Sequence, residues 1–291
     1  MSDKHASRTA VMVCQARAVG DGRFGIGRFA DPVAAQLLRP DERAVVEQVR
    51  AERTPADWRD RIGYGLLEAV VPVLVTRTTV IDEAVRAQGN PQLVVLGAGL
   101  DARAWRMPDL AGVEVFEVDH PASQQDKRDR VDGLEPLAKS LTYVPVDFAR
   151  DSLGDALAQA GHRESLPTTW IWEGVLPYLT QPAVDATLTS LTARSAPASR
   201  LIATYSLPNR FHGLGRRILS LSTRLAGRQD PLEHEKTVSA WTPEQMRTLL
   251  SHHGFTVTAD DDLSPVAEQL GLSSRRWNNL GRVVVADLPK A

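Results

Sequence analysis

The stretch Leu93-Val94-Val95-Leu96-Gly97-Ala98-Gly99-Leu100-Asp101-Ala102 decides the fold, because it joins an apolar strand to a glycine turn. The turn fits the pattern G-x-G-x-x-A, directly after a strand and ahead of a helix. Glycines permit a tight turn at this place and let backbone N–H groups come close to a ligand. Alone the pattern is a weak signal, since an ordinary strand-to-helix turn can carry it. Its neighbours along the chain decide its meaning.

Three further apolar strands each end on a carboxylate. They are Val113-Glu114-Val115-Phe116-Glu117-Val118 before Asp119, Leu141-Thr142-Tyr143-Val144-Pro145-Val146 before Asp147, and Thr169-Trp170-Ile171-Trp172 before Glu173. The successive intervals from Gly97 to Asp119, on to Asp147 and on to Glu173 are 22, 28 and 26 residues. Each interval is about the length of one strand plus one helix. The carboxyl ends of strands in an open parallel sheet line the ligand crevice. A ligand that meets these groups should carry hydroxyls, amines or positive charge, and S-adenosylmethionine has all three.

Two of the acids suit a nucleoside. Asp119 lies twenty residues after Gly99 and can accept hydrogen bonds from both hydroxyls of a ribose. Its alternative role is an N-cap for the segment that begins at Pro121. Asp147 can accept a hydrogen bond from the exocyclic amine of adenine, with Phe148 beside the ring. The alternative interpretation of Asp147 is a solvent-facing turn residue. The pair therefore predicts a nucleoside site at the ends of two neighbouring strands.

Two charged residues stand in apolar surroundings. Glu173 interrupts an apolar run and needs a partner, either the free α-amino group of the ligand or a structural salt bridge. Arg77 shares one helical face with Val70, Leu74, Ile81 and Ala84, so it lies inside an apolar stripe. An unpaired charge is costly there. Arg77 therefore binds either the carboxylate of the ligand or one of the acids Asp101 and Glu173. Arg103 and Arg106 are expected to brace the sheet edge through ion pairs.

Bulk composition excludes several other classes. The formal net charge is −2, so no basic field attracts nucleic acid. Cys14 is the single cysteine, which rules out an internal disulfide and a multi-cysteine metal site, and no cluster has metal-ligand spacing. We expect neither a signal peptide nor a membrane-spanning run of ~20 apolar residues. We expect a cytoplasmic protein without a metal or a membrane partner, and the sequence leaves its oligomeric state open.

The order of elements predicts a helical beginning followed by an alternating α/β region. Helices are predicted at residues 7–19, 34–38, 42–52 and 64–88, which form an N-terminal helical cap over residues 1–88. Residues 89–291 are predicted to form the cofactor-binding domain, with a cap insertion at about 208–240. A helix with a Thr-Pro-Glu-Gln start is expected from Thr242, and two final strands follow at 255–259 and 282–286.

Taken together, these residues resemble the leucine carboxyl methyltransferase family, in its bacterial branch of polyketide and natural-product O-methyltransferases. The resemblance covers most of the chain. It rests on Arg77-Thr78-Thr79-Val80-Ile81-Asp82, Val94-Val95-Leu96-Gly97-Ala98-Gly99-Leu100-Asp101-Ala102-Arg103, Phe116-Glu117-Val118-Asp119-His120-Pro121, Val144-Pro145-Val146-Asp147-Phe148 and Trp172-Glu173-Gly174-Val175-Leu176-Pro177-Tyr178-Leu179. Ala102 stands where a Thr is expected in the family, and Trp105 stands where a Tyr is expected.

The resemblance implies an α/β fold with a Rossmann-like, seven-stranded class I methyltransferase sheet, its last strand antiparallel, and a helical N-terminal cap. It also implies a role for each site residue in binding S-adenosyl-L-methionine. Arg77 would hold the methionine carboxylate, and Glu173 would lie near the amino group. The remaining assignments are Gly97, Ala98 and Gly99 along the methionine part, Asp119 and His120 at the ribose, and Asp147 and Phe148 at the adenine.

Methyl transfer is an in-line displacement at carbon with the sulfonium as leaving group, so the enzyme mainly aligns the acceptor. A carboxylate is already ionised at pH 7 and needs no general base, whereas a phenol with a pKa near 10 would benefit from one. The strand ends offer His120 as the one candidate base. The sequence therefore favours methyl-ester formation on a small natural product or a peptide C-terminus, with Tyr178 facing the acceptor and Arg210 or Arg216 gripping its carboxylate.

Three alternatives remain open from the sequence. The enzyme could methylate a phenol or hydroxyl of a polyketide-like molecule. A NAD-dependent dehydrogenase also suits the glycine pattern and Asp119, although none of the four tyrosines has a Lys four residues further on. The chain could finally be a non-catalytic cofactor-binding protein.

Overall fold

A seven-stranded sheet forms the centre of the described part of the chain. The computed structural model describes residues 8–148, 150–208, 238–272 and 281–290. The strands are β1 (Gln92–Leu96), β2 (Glu114–Asp119), β3 (Ser140–Pro145), β4 (Thr168–Trp172), β5 (Arg200–Tyr205), β6 (Thr256–Asp262) and β7 (Arg282–Asp287), in the order β3-β2-β1-β4-β5-β7-β6. Strands β1 to β5 are parallel, and β7 pairs antiparallel with β5 and β6. The predicted sheet with an antiparallel last strand is confirmed.

Helices cover both faces of this sheet. They are α1 (Arg8–Gly20), α2 (Pro40–Arg50), α3 (Trp58–Gln88), α4 (Arg103–Arg106), α5 (Pro121–Arg130), α6 (Leu153–Gln159), α7 (Gln181–Ala193), α8 (Pro243–His252) and α9 (Leu263–Gln269). Single 3₁₀ turns occur at Pro108–Leu110 and Leu176–Tyr178. The predicted cap insertion at about 208–240 falls mainly outside the described residues.

Local sequence signals set several helix ends. Helix α8 begins with the predicted capping box, in which Thr242 accepts from the backbone N–H of Gln245 and the Gln245 side chain accepts from Thr242. Helix α3 ends at Gln88 and is capped by Gly89, whose φ of +62° suits glycine. The predicted helix at residues 34–38 is wrong. Consecutive turns occupy this segment, because Asp31 caps the backbone of Ala34 and a new helix starts at Pro40.

Two hydrophobic cores lie on opposite faces of the sheet. Side chains of α1, α2, α3 and α9 share one core with Val95 of β1. Side chains of α6, α7 and α8 share the other with Val94 and Leu96. Successive residues of a strand point to opposite faces, so a central parallel strand is apolar throughout. The N-terminal helices thus pack directly onto the sheet, and the predicted domain boundary at residue 88 stays a prediction.

Helix α3 spans 31 residues, from Trp58 to Gln88. Among the described residues it is the helix that is long and apolar enough to cross a membrane by length and composition alone. In its most apolar window, 56% of the residues are buried inside the protein. Ile81 and Val85 are among the core residues that it contributes. Burial against the sheet therefore accounts for much of its apolar character.

The strand order places a crevice beside β1. The chain passes from β1 outward to β2 and β3, then returns to β4 on the other side of β1. Ligands of open α/β sheets bind outside the carboxyl ends of the strands at such a reversal. Leu96 of β1 is in register with Val118 of β2 and Trp172 of β4, so the segments that follow these three strands meet at one edge.

Candidate functional site

A cavity opens beyond the carboxyl ends of β1, β2 and β4. Seven of the ten residues that the sequence assigns to the site line it, namely Arg77, Gly97, Ala98, Gly99, Asp119, Glu173 and Tyr178. The residues come from helix α3, the glycine turn, the end of β2 and the segment after β4. The fold therefore brings together groups that are up to 101 residues apart in the sequence, from Arg77 to Tyr178.

The glycine turn is shaped by its backbone and by close neighbours. Gly97 and Gly99 have φ values of +67° and +49°, which side-chain-bearing residues rarely adopt. A Cβ at Gly97 would lie 2.6 Å from Cγ2 of Val175, and one at Gly99 would lie 3.0 Å from Cβ of Ala10. Both glycines are therefore required by backbone conformation and by space, which an ordinary strand-to-helix turn would not demand at both positions.

Asp119 is fixed by backbone donors at the end of β2. Its Oδ2 accepts from Gly99 N at 2.6 Å, and its Oδ1 accepts from His120 N at 2.7 Å. Burial raises the pKa of this carboxyl and the two N–H donors lower it, with a net upward shift. The alternative role as an N-cap is wrong, because the side chain of His120 caps α5 by accepting from Ala122 N. A carboxylate has further lone pairs for ligand hydroxyls.

Three predicted site residues do not line this cavity. His120 is exposed, and Phe148 is 42% exposed. Asp147 is half-buried, and its Oδ2 lies 3.7 Å from Nε of Arg150. They nevertheless belong to the same sheet edge, since Val146 N donates to Asp119 O at 2.9 Å. Their predicted places at the ribose and the adenine remain predictions.

Arg77 and Glu173 form an ion pair in the cavity wall. Arg77 Nε donates to Glu173 Oε1 at 2.8 Å, and their side chains are 16% and 11% exposed. Burial raises the pKa of Glu173, but Arg77 and Arg103 lower it further, so the net pKa lies below its usual value. Glu173 is therefore ionised at neutral pH. The pairing that the sequence offered as an alternative for Arg77 is present, and it engages one edge of the guanidinium.

A buried ionic cluster of four arginines and four acids forms part of the cavity wall and extends behind it. Its members are Arg17, Arg77, Arg103, Arg106, Asp31, Asp82, Asp101 and Glu173. Arg103 and Arg106 do form the ion pairs expected of them, although they reach further than the sheet edge. Formal charges within the cluster balance, which is the condition under which buried ions are tolerated.

The first helix supplies residues that the sequence did not indicate. Thr9, Ala10, Val13 and Arg17 of α1 line the cavity, as does Ser123 of α5. Arg17 Nη2 donates to the carbonyl of Leu100, directly after the glycine turn. Apolar residues in α1 form no one-sided stripe, so the periodicity gave no signal for this contact. Its one charged residue between Arg8 and Gly20 was the clue available.

Tyr178 is the residue that the sequence predicts to face the acceptor. Tyr178 ends the 3₁₀ turn after Glu173 and is half-buried in the wall. Arg210 and Arg216, the predicted acceptor arginines, lie outside the described residues. Among the described lining residues none is a histidine. The described residues also contain no group of three or more His, Cys, Asp or Glu that could hold a metal ion.

Solved structures share this fold. A structure titled a "putative methyltransferase from Thermobifida fusca" superposes with a TM-score of 0.51 at 16% identity, covering 95% of this chain and 94% of that one. The S-adenosylmethionine-dependent methyltransferase SibL gives 0.50 at 11% identity, over 84% and 69% of the two chains. The sheet order and these neighbours confirm a Rossmann-like class I methyltransferase fold.

Sequence comparison gives the family. The leucine carboxyl methyltransferase model matches residues 10–192. A "Putative S-adenosyl-L-methionine-dependent methyltransferase" of Mycobacterium sp. (strain JLS) is 38% identical over 223 residues, covering 75% of this chain and 70% of its own. A protein of the same description from Mycolicibacterium paratuberculosis is 33% identical over 281 residues, covering 90% and 84%. The chain therefore belongs to the leucine carboxyl methyltransferase family, and the predicted methyltransferase class is confirmed over the dehydrogenase alternative.

Proposed function

We propose that this protein uses S-adenosyl-L-methionine to methylate the carboxylate of a small acceptor, giving a methyl ester. The observation that carries the proposal is the meeting of Arg77, Glu173, Asp119 and the glycine turn in one cavity. The methionine end of the cofactor is a zwitterion, and an ionised Glu173 beside a guanidinium matches its two charges. The mycobacterial relatives, whose names carry this cofactor, support the same assignment.

We assign a proposed task to each residue that the sequence places at the cofactor. Arg77 binds the methionine carboxylate through its Nη atoms while Nε stays on Glu173, and Glu173 accepts from the amino group. Asp119 accepts from the ribose hydroxyls, and the two glycines let the backbone approach the ligand. Asp147 and Phe148 are proposed at the adenine. When bound, the cofactor supplies the electrophilic methyl group, and the protein orients the acceptor towards it.

The described cavity wall favours an acid over a phenol as acceptor. It contains Tyr178 and apolar side chains such as Val13 and Val175, but no histidine among its described residues. A carboxylate is ionised at pH 7 and can attack without a general base. A phenol is protonated at this pH and would benefit from a base that removes its proton. We therefore propose a small, partly apolar acid or a peptide C-terminus in the cytoplasm, held by Tyr178 and by arginines from the 208–240 segment.

A labelling experiment tests the proposal. The purified protein is incubated with methyl-labelled S-adenosylmethionine and a panel of acids and phenols, and the products are treated with alkali. Methyl esters release labelled methanol under these conditions, whereas methyl ethers keep the label. Base-stable label on a hydroxyl would overturn the ester assignment and support the phenol alternative. Failure of the cofactor to bind in calorimetry would overturn the proposal as a whole.

A further inference from the structure

Arg103 connects three parts of the site from below the cavity. Its Nε donates to Asp82 of α3 at 2.7 Å, and its Nη1 contacts both Asp101 of the glycine turn and Glu173 after β4, the latter at 3.1 Å. The Arg103 side chain is only 2% exposed. It does not line the cavity among the described residues. Any effect that it has on a ligand must therefore pass through a neighbour.

Arg106 provides a close internal comparison. It lies on the same short helix and also pairs with Asp82, at 2.6 Å, and with Asp31, at 3.3 Å. Its side chain is 3% exposed, nearly the same as that of Arg103. The described contacts of Glu173 include Arg103 and not Arg106. In the described contacts, Arg103 thus touches two carboxylates that line the cavity, Asp101 and Glu173, and Arg106 touches neither.

Glu173 has an electrostatic need that Arg77 alone does not meet. The charged groups that face it are Arg77 from α3, Arg103 from α4, Arg17 from α1 and Asp101 from the glycine turn. Asp101 opposes its ionisation. A bound amino acid would add a second carboxylate that competes for Arg77. Arg103 supplies a cation that stays on Glu173 both before the ligand's ammonium group arrives and while Arg77 is shared.

We propose that Arg103 is a positioning residue for cofactor binding, which holds Glu173 ionised and aimed at the amino group of the cofactor while Arg77 takes the carboxylate. This inference rests on the proposed function. Hydrogen bonds to both Asp82 and Asp101 hold the guanidinium in place from two sides. The glutamate therefore keeps one orientation whether or not the cavity holds a ligand.

The test is calorimetric titration of S-adenosylmethionine into the wild type, Arg103→Gln and Arg106→Gln between pH 5 and 7. The ammonium group of the ligand stays protonated in this range, since α-amino groups titrate near pH 8. Arg103→Gln should bind about tenfold more weakly at pH 7 and weaken further towards pH 5, because Glu173 then takes up a proton more readily. Arg106→Gln should keep the wild-type pH profile. Burial raises the pKa of Glu117 to about 7, although Lys127 opposes the shift, and burial also raises the pKa of Asp119. Both carboxyl groups are present in all three proteins.

Two further variants separate positioning from a structural role. In a Glu173→Gln background, Arg103→Gln should add no pH dependence, because the group it acts through no longer titrates. Should Arg103→Gln fail to fold in a thermal melt, Arg103→Lys and Arg106→Lys take the place of the glutamine pair, and only the first should shift the profile. Equal pH profiles for the Arg103 and Arg106 variants would overturn the inference. Absence of binding by the wild type would instead overturn the proposed function.

Discussion

Arg77 and Glu173 are hydrogen bonded at 2.8 Å between Nε and Oε1 although 96 residues separate them in the sequence. The bond joins helix α3 to the end of β4 and so fixes two walls of the cavity relative to each other. It occupies one of the five N–H donors of the guanidinium. The other edge of the Arg77 guanidinium lies near Gly174. A Cβ added at Gly174 would lie 3.9 Å from both Nη atoms of Arg77. The ion pair and the proposed ligand contact are thus compatible.

Replacing Arg77 by lysine should weaken the binding of S-adenosylmethionine at least tenfold, about 1.4 kcal/mol or more. The ammonium group of lysine keeps the positive charge. It lacks the planar guanidinium, whose two edges can bind Glu173 and a ligand carboxylate at the same time. Isothermal titration calorimetry measures the change. Arg86→Lys is the matched control, since Arg86 lies on the same helix and pairs with the exposed Asp109. Equal affinities for the two variants would contradict the role given to Arg77.

Gly97→Ala should abolish cofactor binding and lower the free energy of unfolding by about 2–4 kcal/mol. A non-glycine residue at a φ of +67° costs about 1–2 kcal/mol, and contact with Val175 at 2.6 Å adds the cost of overpacking. Urea denaturation measures the stability change. Gly112→Ala is the control, because a Cβ there meets no atom within 4 Å. A Gly97→Ala protein as stable as this control would refute the assignment.

Ala10→Leu should reduce the affinity for S-adenosylmethionine about tenfold or more while changing the melting temperature little. Ala10 lines the cavity and lies close to Gly99, so a longer side chain would enter the space proposed for the methionine part. Binding and thermal melts are compared with those of Val11→Leu. Val11 is the next residue of α1 and lines a separate groove on the protein surface. Unchanged binding in Ala10→Leu would place the cofactor elsewhere.

The free energy of unfolding should fall as the pH drops from 6.5 to 4, because His162 stays neutral in the folded protein while it becomes protonated in the unfolded chain. Burial, with smaller contributions from Arg194 and Arg163, lowers the pKa of this imidazole to about 4. The unfolded chain therefore binds a proton in this range that the folded chain does not, and the contribution reaches about 3 kcal/mol at the acid end. NMR titration of the imidazole checks the pKa directly. A His162→Gln protein should lose less stability than the wild type over the same range, and a pKa near 6.5 would contradict the expectation.

Much of the fold could be predicted because its central strands are buried on both faces. Such strands are continuous apolar runs, and their ends are marked by a glycine or an acid, as at Gly97 and Glu173. Long helices and capped helix starts were also predictable, as Thr242 illustrates. Residues 34–38 were not, since a short segment can satisfy its backbone by turns as well as by a helix.

The candidate site could be predicted only where a residue conflicts with its local surroundings. Arg77 and Glu173 are charges in apolar runs, and each was identified for that reason. Arg17 is a lone charge within α1, but neither it nor Arg103 reveals its partners from the sequence, because those partners include residues far away along the chain. Leu100, for example, receives its hydrogen bond from Arg17, 83 residues earlier. Contacts of this kind depend on the tertiary structure and leave no periodic trace.

The buried ionic cluster has a consequence for the order of assembly during folding. Its members extend in sequence from Arg17 to Glu173. The cluster is therefore complete only when the first helix and the fourth strand have both packed into the fold. A dry charge without its partner is strongly unfavourable, so water should leave this region late. Contacts between such distant segments also slow the chain's search. We expect the cavity to be among the last parts to form, which would make ligand binding a reporter of completed folding.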